Sequence, residues 1–496
     1  MPVYNISVVK KCKGEVSLNS QAEKKEQEPS IIVFMDTSAA RGDGSGGGGG
    51  EPHVLVVPFP AQGHMIAHLD LAALLATRGG MAVTVAVTAG NAPLLEPLLA
   101  ACPSVGVVTL PFPPSPLLPP GCGENTRGLP WRLFWMFVPA LAALRAPLLD
   151  WCEAQHQRRR RVTAIVSDLF TGWARPLADE LGAAHVTFSP CTAFFVAMAP
   201  PTWHPPSTPT PMPQSSADAD DDAAAAALLF PHVADDPKPG DEAYEEIRQI
   251  LLWSLENKCV VVNSFAALEA AYWASPLAAR VRSRSRVLSV GPLSEAWPTS
   301  SNRGGRPAVA ASEVAAWLDA FDDGAVVYVS FGTQHELSAA QVACVAEALA
   351  RSSAAFVWAT GGATAVPEGL EAATAVAARG MVIRGWAPQV AILRHRAVGW
   401  FLMHCGTNAV LEAAAAGVAV LAWPMGADHF VNRALLEEAG VAVRLAEGGD
   451  AVPDAGEMAK AIAAAIGDEG MPFRERAVRL AAMAAAAVAE AKLALK

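Results

Sequence analysis

Residues 398–412 read Val-Gly-Trp-Phe-Leu-Met-His-Cys-Gly-Thr-Asn-Ala-Val-Leu-Glu. The first six, Val398 to Met403, have the composition of a strand buried on both faces. His404-Cys405-Gly406 then makes a turn, and a helix is expected to open at about Asn408. The first turn of a helix carries backbone N–H groups without intrahelical partners and the positive end of the helix dipole. Gly406 lets a ligand approach the backbone closely. The place suits a diphosphate, with His404 adding a donor. The same residues also read as punctuation, Asn408 as a helix cap and Gly406 as a turn glycine.

Outward from this stretch the same alternation recurs. A strand is expected at 325–330, a helix at 339–350, strands at 355–359, 381–384 and 398–403, a helix at 408–416, a strand at 418–423 and a helix at 430–439. Toward the N-terminus, His53 to Pro58 reads as a buried strand, Phe59 to Gly63 as a turn, and the run through Ile66, Leu69, Leu74 and Leu75 as a helix ended by Gly79-Gly80. Strands at 81–88, 162–166, 259–262 and 287–290 follow, with 183–187 a weaker candidate. Strands alternating with helices predict parallel sheets covered by helices. The expected fold is α/β: two doubly wound, Rossmann-like domains facing a cleft, with a ligand at the carboxyl ends of the strands.

The expected divisions are a leader at 1–52, a first domain at 53–293, a linker at 294–312, a second domain at 313–472 and a terminal helix at 473–496 that could cross back to the first domain. The leader is polar and then Gly-rich, and Met35 reads as an alternative natural start. Residues 200–245, rich in Pro, Asp and Ala, read as a long surface excursion.

Composition narrows the partners. Of 496 residues 52% are apolar, enough for full-sized cores without staples. The 48 acidic and 37 basic residues leave a net charge of −11, which argues against nucleic acid as the main partner. The eight cysteines include no C-x-x-C pair, as expected of a reducing compartment. No secretory signal is read in the first 35 residues, and no uninterrupted apolar window of about 18 residues is seen. A cytoplasmic protein without integral membrane association is the expectation.

Three local signals are set aside. Gly42-Asp-Gly44-Ser-Gly-Gly47 fits G-x-G-x-x-G but has no strand before it and no helix after it. Asp218-Ala-Asp220 lies in a Pro/Ser/Ala-rich run and reads as a solvated loop. Arg158 to Arg161 reads as a solvated helix end.

The segment from Trp386-Ala-Pro388-Gln389 through His404-Cys405-Gly406, Asn408, Glu412 and Pro424 to Asp428-His429 resembles, over its 44 residues, the signature box of plant family-1 UDP-glycosyltransferases. Pro58-Phe-Pro-Ala-Gln-Gly-His64, Ser167-Asp168, Val261-Val-Asn263-Ser264, Val290-Gly-Pro292 and Val329-Ser-Phe-Gly332-Thr333 resemble further hallmarks of that family, in order. The stretch HVLVVPFPAQGHMI is most similar to the subgroup containing flavonol 7-O-glycosyltransferases and 7-O-rhamnosyltransferases. The resemblance covers about residues 53–480 and implies a GT-B type fold, sugar transfer from a UDP-sugar to a small phenolic acceptor such as a flavonoid, and a monomer. It implies no metal and no cofactor, the UDP-sugar being a co-substrate.

The resemblance also implies roles. Trp386 stacks on uracil, with Ala387 beside it, and Gln389 and Glu412 hold the ribose. His404, Gly406, Asn408 and Thr333 meet the diphosphate, with Thr407 and Ala409 in the same first helical turn. Asp428 and His429 read the sugar hydroxyls. His64 is the catalytic base and Asp168 its partner; His68, one helical turn on, is the weaker alternative. An imidazole can take the acceptor's proton near neutral pH, and a carboxylate on the other ring nitrogen fixes its tautomer. Trp131 and Phe194 are candidates to line the acceptor pocket, followed by Phe134 and Trp135.

Some positions depart from the family pattern. Thr407 stands where Trp is usual, Ala409 where Ser is usual, and Met403 replaces a small hydroxyl residue. His429 stands where glucosyltransferases carry Gln and is associated with galactosyl and rhamnosyl donors, so UDP-glucose leads only modestly over UDP-rhamnose and UDP-galactose. The Ala-rich end, residues 473–496, lacks the family's Gly-Ser stretch and last helix. Thr407, Ala409 and this end motivate an alternative: a degraded protein that binds UDP-sugar or acceptor without turnover. A nicotinamide oxidoreductase of similar fold lacks its glycine fingerprint after either domain's first strand.

Overall fold

The structure is a computed structural model. It describes residues 51–78, 80–129, 131–197, 241–275, 278, 285–296, 303–361, 366, 369–370 and 378–494. The expected leader up to residue 50, most of the 200–245 excursion and two of the rejected motifs, Gly42–Gly47 and Asp218–Asp220, lie outside these residues.

In the first domain β1 (His53–Val57) leads through α1 (Gln62–Arg78) to β2 (Ala82–Thr88), α2 (Glu96–Ala101) and β3 (Gly106–Leu110). Then come α3 (Trp131–Ala140), α4 (Arg145–Gln157), β4 (Ala164–Asp168), α5 (Ala174–Leu181) and β5 (Ala184–Ser189). The domain closes with α6 (Glu242–Leu255), β6 (Cys259–Val262), α7 (Ala270–Trp273) and β7 (Arg286–Ser289). The second domain runs α8 (Ala311–Leu318), β8 (Val326–Ser330), α9 (Ala339–Ser352), β9 (Ala355–Ala359), β10 (Gly380–Ile383), α10 (Gln389–Leu393) and β11 (Val398–Met403). It continues with α11 (Thr407–Ala416), β12 (Ala419–Ala422), α12 (His429–Glu438), β13 (Ala442–Arg444), α13 (Ala455–Ile466) and α14 (Met471–Ala494).

Among the described residues, the first sheet has the order β3-β2-β1-β4-β5-β6-β7 and the second β10-β9-β8-β11-β12-β13. Strand pairs are parallel in both. Central strands such as β1, β4, β5 and β11 are buried along their whole length, because helices cover both faces. Each sheet reverses its winding once, between β1 and β4 and between β8 and β11. Ligands of doubly wound sheets bind outside the strand ends at such reversals. His64 follows β1 and Asp168 ends β4; Gly332 follows β8 and His404 follows β11.

Two strands were not anticipated, β3 and β13. Both are edge strands; β3 is only partly buried, and β13 has three residues. α1 starts four residues earlier than its apolar pattern, so Gly63 and His64 belong to its first turn. The helical run Leu133–Gln157 is long and apolar enough by composition to cross a membrane, which the sequence reading did not foresee. More than half of its most apolar window is packed inside the domain, around Phe137, Val138 and Leu148. α14 packs on α11 and β12 of the second domain, with Phe473 against Trp400 and Arg476 donating to Gly440 O.

Candidate active site

The cleft between the domains holds a cavity of about 820 Å³. All twelve residues expected at the donor end line it: Thr333, Trp386, Ala387, Gln389, His404, Gly406, Thr407, Asn408, Ala409, Glu412, Asp428 and His429. They come from separate strand ends that the two windings bring to one rim.

His64 lines the same cavity from the first domain. Its Nδ1 donates to Asp168 Oδ2 at 2.8 Å, which leaves Nε2 as a lone-pair acceptor. Asp168 is sealed, and its Oδ1 accepts from Phe170 N at 2.8 Å. Burial by itself would raise the Asp168 carboxyl; the adjacent His64 and His68 and the Phe170 N–H outweigh it and hold it below its ordinary value. The carboxylate is therefore ionised and can stabilise an imidazolium at His64. His68 is fully buried, spends Nδ1 on His64 O at 2.8 Å and is pushed down by burial. It does not face the cleft, so the weaker alternative base is unsupported.

The His64 ring lies in an aromatic corner. Phe59 and Phe170 stand 5.7 and 5.2 Å away between ring centroids, and Phe134 and Trp135 pack on Phe170 at 5.5 and 5.6 Å. Phe134, Trp135, Phe170 and Phe195 line the cavity. Phe194 does not; it packs on Tyr272 at 5.5 Å. Neighbouring helical residues point about 100° apart, so the sequence reading missed the wall by one position. Trp131 opens α3, and its side chain lies outside the described part.

The donor end is polar and tightly wired. α11 opens at Thr407 with Gly406 at its N-cap, so its first amides face the cavity without helical partners. Asn408 is one residue inside the helix rather than its cap, and its Nδ2 donates across the cleft to Gly63 O at 2.7 Å. Gly332 has φ +76°, and a Cβ there would lie 2.7 Å from the His404 ring; only glycine lets that imidazole sit against the β8 turn. His404 and His429 meet edge to face at 4.7 Å, with His335 5.7 Å from His429. Burial and then the neighbouring rings push His404 well below its ordinary value, and burial and His335 do the same to His429. Both are neutral at pH 7. His429 Nδ1 accepts from Gly426 N at 3.2 Å, so its proton is on Nε2. Asp428 occupies the N-cap position of α12 without capping it. Its Oδ2 accepts instead from Thr407 Oγ1 at 2.6 Å and Asn432 Nδ2 at 2.8 Å.

Glu412 is buried, not a surface residue. Its Oε2 accepts from Gln389 Nε2 at 2.6 Å, and its Oε1 from Arg303. Arg303 also forms a fork with Asp70 on α1, at 2.6 to 2.9 Å, so one guanidinium joins the linker to both domains. Burial would lower it, but the two carboxylates raise it further, and it stays charged. Trp386 Nε1 donates to Arg303 O at 3.2 Å, and Gly305 lies against the same indole. Arg303, Gln334 and His335 were not anticipated. Arg303 sits in linker composition with no periodicity to mark it, and its role depends on carboxylates 233 and 109 residues away.

Two facing doubly wound domains, with the His64–Asp168 pair on one lip of the cleft and the open N-terminus of α11 on the other, have the architecture of a GT-B type transferase. Residues 307–484 match the family described as UDP-glucoronosyl and UDP-glucosyl transferase, and residues 51–205 match the glycosyltransferase N-terminal domain. The flavonol 3-O-glucosyltransferase UGT89B1 of Arabidopsis thaliana is 40% identical over 83% of this chain and 87% of its own. The flavonol 7-O-rhamnosyltransferase of Arabidopsis thaliana is 33% identical over 89% of this chain and 94% of its own. The crystal structure of Arabidopsis thaliana UGT89C1 complexed with UDP-L-rhamnose is 34% identical, covers 90% of this chain and 98% of that one, and superposes with a TM-score of 0.71. The chain belongs to the plant family-1 UDP-glycosyltransferases.

Proposed function

We propose that this UDP-glycosyltransferase moves a hexose from a UDP-sugar to a hydroxyl of a flavonol-like phenol, with inversion and without a metal. The observation that carries the reading is the His64–Asp168 pair, bonded at 2.8 Å, with His64 on the first turn of α1, which Asn408 of α11 ties across the cleft. His64 Nε2 takes the acceptor proton as the hydroxyl attacks the anomeric carbon, and Asp168 stabilises the imidazolium. The C–O bond to UDP breaks on the opposite face through an oxocarbenium-like state, giving a β-glucoside from UDP-α-glucose. The α11 amides, His404 and Thr333 receive the departing diphosphate. Trp386 carries uracil, Gln389 and Glu412 the ribose, and Asp428 and His429 the sugar. The aromatic corner beside His64 offers rings to a planar phenol.

No cofactor enters this scheme beyond the co-substrate. Both walls come from one chain, so a monomer suffices. The seven described cysteines are free thiols, in keeping with a cytoplasmic setting.

A donor-by-acceptor matrix tests the reading: UDP-glucose, UDP-galactose and UDP-rhamnose against a flavonol panel, with wild type and His429→Gln. UDP release with a glycoside of inverted configuration is expected, and His429→Gln should shift preference toward UDP-glucose. UDP binding without release on any acceptor would favour the degraded binding protein. The intact catalytic pair and the hydrogen-bonded Thr407 weigh against that alternative.

A further inference from the structure

Among the departures from the family pattern, Thr407 has the fullest set of partners. It is buried at the start of α11. Its Oγ1 donates to Asp428 Oδ2 at 2.6 Å and accepts from Asn432 Nδ2 at 3.0 Å. A hydroxyl has one hydrogen and two lone pairs; Thr407 gives its hydrogen to Asp428 and one lone pair to Asn432. Asn432 is buried one turn into α12, and the two hydrogens of its Nδ2 are shared among Thr407 Oγ1, Cys405 O at 2.9 Å and Asp428 Oδ2 at 2.8 Å. Every described bond to the Asp428 carboxylate ends on Oδ2, and the residue lines the cavity.

We infer that Thr407 is a positioning residue for the donor sugar: with Asn432 it clamps Asp428 by Oδ2, so that Oδ1 is presented to a sugar hydroxyl. This rests on reading Asp428 as a sugar contact. Where related chains place an indole, this chain places a hydroxyl brace, and the substitution is a rewiring rather than a lesion. The side-chain bonds of Thr407 run to Asp428 and Asn432 and none to Glu412 or Trp386, so its loss falls on the sugar rather than on the base and ribose.

Calorimetric titration separates the two. UDP, UDP-glucose, UDP-galactose and UDP-rhamnose are each titrated into wild type, Thr407→Val and Thr407→Ser. Valine keeps the shape and removes the hydroxyl; serine keeps the hydroxyl. Losing a hydrogen bond to a charged group should weaken the sugar nucleotide that wild type binds best by about tenfold, while the Kd of UDP moves less than about twofold. Thr407→Ser should restore wild-type affinity. Should the valine variant not fold, Thr407→Ala carries the same expectation. Unchanged sugar-nucleotide binding overturns the brace. So does an equal loss for UDP, which would mean that Thr407 holds the whole pocket. Failure of wild type to bind UDP at all would overturn the nucleotide site itself, and the brace with it.

Discussion

The two walls of the cleft recognise by different physics. The first-domain wall is mainly apolar: Phe134, Trp135, Phe170 and Phe195 stand around His64, which Asp168 backs. The opposite wall is a wired set of donors and acceptors, in which Gln389 and the linker's Arg303 hold Glu412, while Thr407 and Asn432 hold Asp428. An apolar wall sorts ligands by area and shape, which tolerates many phenols. A wall of polar groups fixed by one another's hydrogen bonds sorts by geometry and leaves a mismatched group unpaired at a cost of about 1–3 kcal/mol. The acceptor side should therefore be broad and the donor side narrow.

The contrast can be broken at its sharpest point first. His64→Ala should reduce turnover by about 10³-fold while leaving the Kd of UDP unchanged, since general-base catalysis contributes about 10²–10⁴-fold. Retained turnover would remove the base; lost UDP binding would show that the walls are not separable.

Arg303→Gln comes next. It leaves Asp70 and Glu412 buried without their cation, and breaking a buried pair in this way costs about 3–5 kcal/mol. A large drop in the urea midpoint, together with weaker UDP binding through the freed Glu412, is expected. An unchanged midpoint would mean that the guanidinium and its carboxylates are already well solvated.

Acid should act through histidines on both sides. His68, His185, His404 and His429 are held below their ordinary value chiefly by burial, His185 down to about 3. The unfolded chain binds those protons at about pH 6.5 while the folded chain does not. Their folded neutral state is thus without penalty above about pH 6.5, and stability falls as pH drops below it, by up to about 1.4 kcal/mol per pH unit for each histidine. Urea midpoints at pH 7.5, 6 and 5 check the slope; a flat series would contradict the buried neutral rings.

The smallest effect sharpens the apolar wall. Phe195→Ala should raise the acceptor KM about three- to tenfold, the scale of one lost aromatic contact, without touching the donor KM. Phe194→Ala should leave both nearly unchanged and lower stability alone, because its ring packs on Tyr272.

Legibility followed the same division. The donor wall comes mostly from one stretch, Trp386 to His429, whose strand-turn-helix pattern could be read locally, and its twelve expected residues converge on the cavity. The acceptor wall draws on α3, α6, the turn after β4 and the short helical stretch that carries Phe195, so no local period marks it, and Phe194 was one helical position off. Edge strands β3 and β13 escaped for a related reason: short or half-exposed strands lack the continuous apolar run that marks a central one.

The catalytic and nucleotide candidates were implied by the resemblance of the chain's motifs to a known family; by itself the order of residues determined the alternation of buried strands and helices and the two windings. These depend on contacts near in sequence: apolar runs, turn glycines and helix starts. Only the tertiary structure decided that Arg303 bridges Asp70 to Glu412, that Thr407 clamps Asp428, that His68 is sealed and that Phe195 faces the cleft. Each of these depends on where a polar or aromatic group finds its partner after the chain has packed, and burial makes that partner obligatory without marking it in the sequence.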